Sequence, residues 1–293
     1  MKITIVTPSF NQSRFIEKTL LSIWQQKGDF DLEHIVIDAG SNDGSLEILQ
    51  RYEKLYREQE FHFKCRSFSF HWKSEPDEGQ SHALNKGFSL STGDIIGWLN
   101  SDDTFVDDEC LDAVHDAFLS SEADLVVGNF YCIDEDGKRL DCPSEINKLD
   151  NDSFQKKLHI LPEHDLITQP SCLFTRRVWE KYGIDQSYHY AMDWKLWINA
   201  YNDGCRFYKI TKFIANNRLH SDTKTFSDNP DRFREILRIF REFDTYCPNR
   251  VFFAFYYRLL EISEIGWLQP LIHPLILTGK LLRRRLIRLF KTY

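Results

Sequence analysis

A short apolar run, Ile95-Ile96-Gly97-Trp98-Leu99, leads directly into Asn100-Ser101-Asp102-Asp103. A run of that length and character reads as a strand buried on both faces, which belongs in a sheet covered by helices on both sides. Open α/β sheets bind ligands beyond the carboxyl ends of their strands, and two adjacent carboxylates stand at that point. Neighbouring carboxylates repel, and a hard divalent cation with free positions for phosphate oxygens would offset the repulsion. A plainer reading makes Asp103 or Asp107 the N-cap of a helix starting near Asp108.

The pattern around this run is an alternation of strands and helices. Ile3–Val6 reads as a first strand, followed by Ile16, Leu20, Ile23 and Trp24 at helical spacing. His34–Asp38 is a second strand, with a helix through Leu46, Leu49 and Tyr52. Phe70–Ser74 is a third, with a helix to about Leu90. A helix near Cys110–Leu119 follows the fourth strand, and Asp124–Asn129 is a fifth. Asn129–Leu140, with its Asp136-Gly137 turn, reads as a hairpin. Ser171–Thr175 and Phe213–Leu219 are later strands, and Trp194, Trp197, Ile198 and Tyr201 mark one helical face. The aromatic stretch Tyr56–Phe68 fits no element, and Asn147–His164 reads as a loop or short helix. The alternation predicts a doubly wound α/β sheet. From Asp231 the chain turns helical, with Phe233, Ile236, Leu237, Phe240 and Phe243 on one face.

Composition narrows the function. A net charge of −7 argues against general affinity for nucleic acid. The 7 cysteines form no C-x-x-C pair, which suits free thiols in a reducing compartment better than a disulfide framework or a zinc site. The chain enters a strand pattern at once, so no secretory signal is expected. No apolar run reaches the roughly 18–20 residues that span a bilayer. Neither G-x-G-x-x-G nor G-x-x-x-x-G-K-[ST] is present, which disfavours a dinucleotide or P-loop site.

Polar residues stand at the end of each early strand: Thr7–Asn11, Asp38, Glu75-Pro76-Asp77 and Asp102-Asp103. Together with Ile37–Ser45, Ser74–Gly87, Trp98–Asp103, Gln169-Pro170-Ser171, Ala191–Trp197 and Arg218–Asp222, in that order, they resemble glycosyltransferase family 2. The resemblance covers about residues 1–225. It implies a GT-A fold, Rossmann-like, with a mostly parallel central sheet and helices on both faces, carrying a C-terminal helical extension. Residues 1–227 would be the catalytic domain, its nucleotide-sugar half at about 1–128 and its acceptor half at about 129–227. Residues 228–293 would form the helical region.

The resemblance further implies an inverting hexosyltransferase that takes a nucleotide-sugar donor, usually UDP-linked, with Mn²⁺ or Mg²⁺, and acts in polysaccharide or glycolipid synthesis. By position Pro8, Ser9 and Asn11 would line the nucleotide pocket, Asp38 would meet the base, and Asp77 would sit by the nucleoside or sugar. Asp102 and Asp103 match the acidic motif, with Asp103 on the metal and His220 a further ligand. Asp193 would be the general base. Helix capping remains the plain alternative for Asp193, and a structural histidine for His220. Arg218 could neutralise phosphate or form an ordinary ion pair, and Lys86 could face the donor or solvent.

Two rivals remain open: a sugar-phosphate nucleotidyltransferase, and a non-catalytic nucleotide-sugar or glycan-binding module. At the C-terminus Leu282, Leu286 and Leu289 oppose Arg284, Arg288 and Lys291, a pattern that suits an anionic membrane surface or a helix packed on the domain. A cytoplasmic enzyme on the inner face of the membrane, acting on a lipid-linked acceptor, is the corresponding expectation.

Overall fold

The computed structural model describes residues 1–141, 144–162, 164–221, 223 and 230–243. The chain divides into two units, Met1–Phe226 and Ser227–Tyr293. The first opens with β1 (Lys2–Ser9), α1 (Ile16–Trp24), β2 (Lys27–Asp38), α2 (Ser45–Arg57), β3 (Lys64–Ser74), α3 (Gln80–Leu90) and β4 (Ile95–Trp98). It continues with β5 (Thr104–Phe105), α4 (Cys110–Ser121), β6 (Leu125–Ile133), β7 (Arg139–Leu140) and α5 (Asn151–Lys157). It closes with β8 (Cys172–Thr175), α6 (Arg176–Tyr182), α7 (Met192–Asn202) and β9 (Phe207–Arg218). Eight strands run in the order β3-β2-β1-β4-β8-β6-β9-β5, with β7 beside β6. Pairing is parallel from β3 through β4 and between β6 and β9, and antiparallel at β8 and β5.

The register decides where the polar strand ends fall. Ser9 pairs with Asp38, Asp38 with Ser74, and Val6 with Trp98. The carboxyl ends of β1, β2, β3 and β4 therefore lie along one edge, and β9, parallel to β6, ends on the same side. Residues from both faces of β1 and β4 are buried, as continuous apolar runs in a covered parallel sheet require. Gly87 lets α3 lie directly on β1, since a Cβ there would come within 2.4 Å of Val6.

Three expectations are revised. The stretch Tyr56–Phe68 is no insert: it completes α2 and begins β3, and its rings pack around the fully buried Trp24. Phe61, Phe63, Phe68 and Phe70 lie 5.0–5.4 Å from the Trp24 ring, mostly edge-on, as aromatic quadrupoles prefer. Non-local packing of this kind leaves no periodicity in sequence. β9 begins at Phe207, six residues before its expected start. Cysteine chemistry also departs in one place. Cys65, Cys110, Cys172 and Cys205 are free thiols, but Cys132 is disulfide-bonded. β6 and β7 form the hairpin expected across Asp136-Gly137, with Cys132 opposite Leu140.

His34 is a second buried group with a consequence. Trp24 Nε1 donates to its Nδ1 at 3.3 Å, so the neutral ring carries its proton on Nε2, 3.0 Å from Thr7 Oγ1. Burial pushes its pKa down to about 3. An unfolded histidine titrates near ~6.5, so the unfolded chain takes up a proton that the folded chain refuses. Stability from this group is whole above pH ~6.5 and is lost as pH falls toward 3, by up to about 1.4 kcal/mol per pH unit. Urea unfolding at stepped pH should show that slope in the wild type, and a flatter one in His34→Gln.

In the second unit the described part is α8 (Pro230–Glu242) with Phe243, where Leu237, Ile239 and Phe240 are buried and Arg238 pairs with Glu242 at 2.9 Å. The basic C-terminal segment lies outside the described residues. Among the described residues no helix is long and apolar enough to cross a membrane.

Candidate active site

A cavity of about 760 Å³ opens on the edge where the strands end. Its wall includes Pro8, Ser9, Asp77, Asp102, Asp103, Asp193 and His220 from the expected set. Thus the acids expected from β4 and the base expected at the start of α7 share one hollow. Asn11 and Asp38 do not line it.

Asp38 is fully buried, and its carboxylate accepts from the Gly40 and Ser41 amides and from the Ser41 and Ser74 hydroxyls. Asn11, at φ 53°, accepts from the Asn42 amide. These two residues therefore shape the loops after β1 and β2 instead of facing the hollow. An exposed aromatic precedes Asn11. Phe10 is 57% exposed and lines the mouth. On the opposite loop Asp77 accepts from the Gly79 amide at 2.8 Å, and Gly79, at φ +110°, turns the chain into α3.

The two adjacent acids are held differently. Asp103 is 2% exposed; its Oδ1 accepts the Arg218 amide at 2.8 Å and its Oδ2 lies 3.3 Å from Asn100 Nδ2. Burial and the neighbouring Asp102 charge hold its carboxyl well above the usual range. Asp102 instead directs Oδ2 to His220 Nε2 at 2.9 Å. Neither acid caps α4, whose N-cap is Glu109. The loop is braced from both sides. Thr19 Oγ1, on α1, donates to the Ser101 and Asp103 carbonyls, and Arg218 Nε donates to the Asp102 carbonyl. Arg218 also donates to the Asp134 and Glu135 carbonyls, so it is a buried clamp and not a surface ion pair. Lys86 faces away from this hollow, tied to Glu75 at 2.9 Å.

Asp193 lies in the first turn of α7, and its Oδ1 accepts the Trp194 amide at 2.8 Å. The segment leading to it is fastened to α3. Asn85 bonds both the amide and the carbonyl of Ile184, and Ser81 Oγ donates to the Tyr188 carbonyl. The Trp194 indole donates to Leu161, fixing the start of α7 from the other side.

The carboxylate oxygen suits Mn²⁺ and Mg²⁺ alike, and the imidazole nitrogen beside it fits Mn²⁺ better than the oxygen-seeking Mg²⁺. The 2.9 Å between Asp102 Oδ2 and His220 Nε2 is about the spacing of adjacent ligands on an octahedral cation. One other group of possible ligands exists among the described residues, Asp112, His115 and Asp116 on α4, with ligand atoms within 4.8 Å. None of the three lines the cavity.

Two buried polar atoms in the cavity wall, Ser9 Oγ and Trp98 Nε1, have no hydrogen-bond partner.

The family model for glycosyl transferase family 2 matches residues 4–183, which span β1 to the end of α6. The chain belongs to this family. A glycosyltransferase of Nostoc, alr2836, is 24% identical over 217 residues, covering 73% of this chain and 61% of that protein. GlyA of Streptococcus pneumoniae is 28% identical over 139 residues, covering 46% of this chain and 17% of GlyA. Among solved structures, S. aureus TarS 1–349 in complex with UDP-GlcNAc superposes with a TM-score of 0.61 at 16% identity, covering 86% of this chain and 70% of that one. The mannosyltransferase PcManGT of Pyrobaculum calidifontis, in complex with GDP-Man and Mn²⁺, gives 0.59 at 17%, covering 96% and 79%. At these identities the likeness is one of fold, and the fold of this family member is GT-A.

Proposed function

We propose that this family 2 member is an inverting glycosyltransferase that moves a sugar from a nucleoside-diphosphate donor to an acceptor hydroxyl. The observation that carries the reading is the single hollow shared by Asp77, the Asp102–His220 pair and Asp193. Residues 1–227 would be the catalytic domain, with the donor bound mainly by residues up to 128 and the acceptor by residues beyond. Phe10 offers a face for the base, Ser9 Oγ a hydrogen bond, and Asp77 an acceptor for a sugar or ribose hydroxyl. Asp102 and His220 would hold Mn²⁺ or Mg²⁺, with Asp103 behind them fixing the loop. Bound there, the cation acts as a Lewis acid on the diphosphate as it leaves.

Asp193 would take the proton of the attacking hydroxyl, which approaches the anomeric carbon from the face opposite the diphosphate and so inverts it. The Trp194 amide, donating to Oδ1, orients the carboxylate that would take the proton. Trp98 and Met192 give the wall near Asp193 apolar surface, which limits competing water. TarS is solved with UDP and UDP-GlcNAc and PcManGT with GDP-Man and Mn²⁺, so UDP- and GDP-sugars both belong in a first donor panel. A cell-surface polysaccharide or lipid-linked glycan is the acceptor class this reading favours. Release of UDP or GDP from one donor, dependent on Mn²⁺ or Mg²⁺, is the expected result. Pyrophosphate release from a nucleoside triphosphate and a sugar phosphate would replace this reading with nucleotidyl transfer.

A further inference from the structure

Three side-chain amides in the cavity wall form one directional chain. Gln80 Nε2 donates to Asn100 Oδ1 at 2.7 Å, and Asn100 Nδ2 donates to Gln169 Oε1 at 3.1 Å. Gln169 Nε2 donates to the Trp98 main-chain carbonyl at 2.7 Å. That carbonyl can only accept, so it fixes which end of Gln169 faces it. The remaining oxygen of Gln169 then requires the NH₂ of Asn100, and the oxygen of Asn100 requires the NH₂ of Gln80. One main-chain acceptor thus sets all three orientations. The same Asn100 NH₂ lies 3.3 Å from Asp103 Oδ2, so the polarity of the chain presents Asp103 with a donor.

We propose that Gln169 and Gln80 are positioning residues that act through Asn100, turning its NH₂ toward Asp103 and holding the acid loop in the shape that takes a divalent cation. The inference rests on the cation reading given above. Without the Trp98 anchor, Asn100 can rotate and withdraw its NH₂ from Asp103, and the loop loses that tie. The three amides come from separate places: the start of α3, the acid loop, and the turn before β8. They link the Asp77 loop to the Asp102 loop across the hollow. Outer partners that orient ligating groups are worth roughly 10–100-fold in metal affinity.

Gln169→Glu is the discriminating variant because it keeps the shape of the side chain and removes its donor to Trp98. Mn²⁺ is titrated into the full chain with UDP present and absent, free Mn²⁺ is read by electron paramagnetic resonance, and metal-free UDP affinity is read by calorimetry. Gln169→Glu is expected to raise the Mn²⁺ dissociation constant roughly 10–100-fold with metal-free UDP affinity unchanged. Gln80→Leu, on the half-buried rim, is expected to move it the same way by less, and decides the matter if Gln169→Glu does not fold. Wild-type Mn²⁺ affinity in the folded variants would overturn the inference and leave the cation reading standing. Absence of Mn²⁺ uptake by the wild type itself would overturn both.

Discussion

Asp193→Asn should abolish sugar transfer while donor binding stays at the wild-type level. The substitution keeps the acceptor that Trp194 N–H requires, so the first turn of α7 is preserved, and it removes the capacity to take a proton. General-base catalysis contributes typically about 10²–10⁴-fold, and kcat should fall within that range. Stopped assays of nucleoside-diphosphate release, beside calorimetric titration with the donor, separate the two effects. Retained turnover would return Asp193 to helix capping alone. Loss of donor binding together with turnover would mean that the residue shapes the pocket.

Asp102→Asn and Asp103→Asn should fail in different ways, although the residues are adjacent. Asp102 meets His220 at the cavity surface, so its neutral replacement should cost about 10²-fold or more in turnover at saturating Mn²⁺, with little change in melting temperature. Asp103 is buried against the Arg218 amide and the Asn100 NH₂. An asparagine there can satisfy the first donor and then turns its own NH₂ toward the second, leaving donors facing each other. The expected effect is lost stability of about 1–3 kcal/mol, read by urea unfolding. If Asp103→Asn lost Mn²⁺ binding without losing stability, the metal would belong to Asp103, as the sequence resemblance implies.

The parallel half of the sheet could be read from residues because each strand there is a dense apolar run closed by a polar turn. Ile95–Leu99 is the clearest case, buried on both faces and ending at the acids. The start of β9 is hidden in the sequence because Lys209 takes a buried position beside Phe207, so hydropathy does not follow the alternation of burial. The site acids were visible as strand-end carboxylates, and seven of the nine expected residues line the hollow. Asp38 and Asn11 instead bond loop groups, because a polar residue near a strand end can equally satisfy loop amides, and linear sequence does not show which it does. Gln80, Asn100 and Gln169 each fall within a separate motif, with nothing in the sequence to group them. Their connection depends on orientation across three loops, which linear spacing does not encode.

The acid loop is braced by Thr19 from near the start of the first unit and by Arg218 from its last strand. During synthesis, therefore, the nascent polypeptide carries Asp102 and Asp103 long before the final support has left the ribosome. Domains generally fold as units, and here the acid loop takes its final shape only at the close of that unit. A partly made chain would carry both acids without the support that sets their geometry.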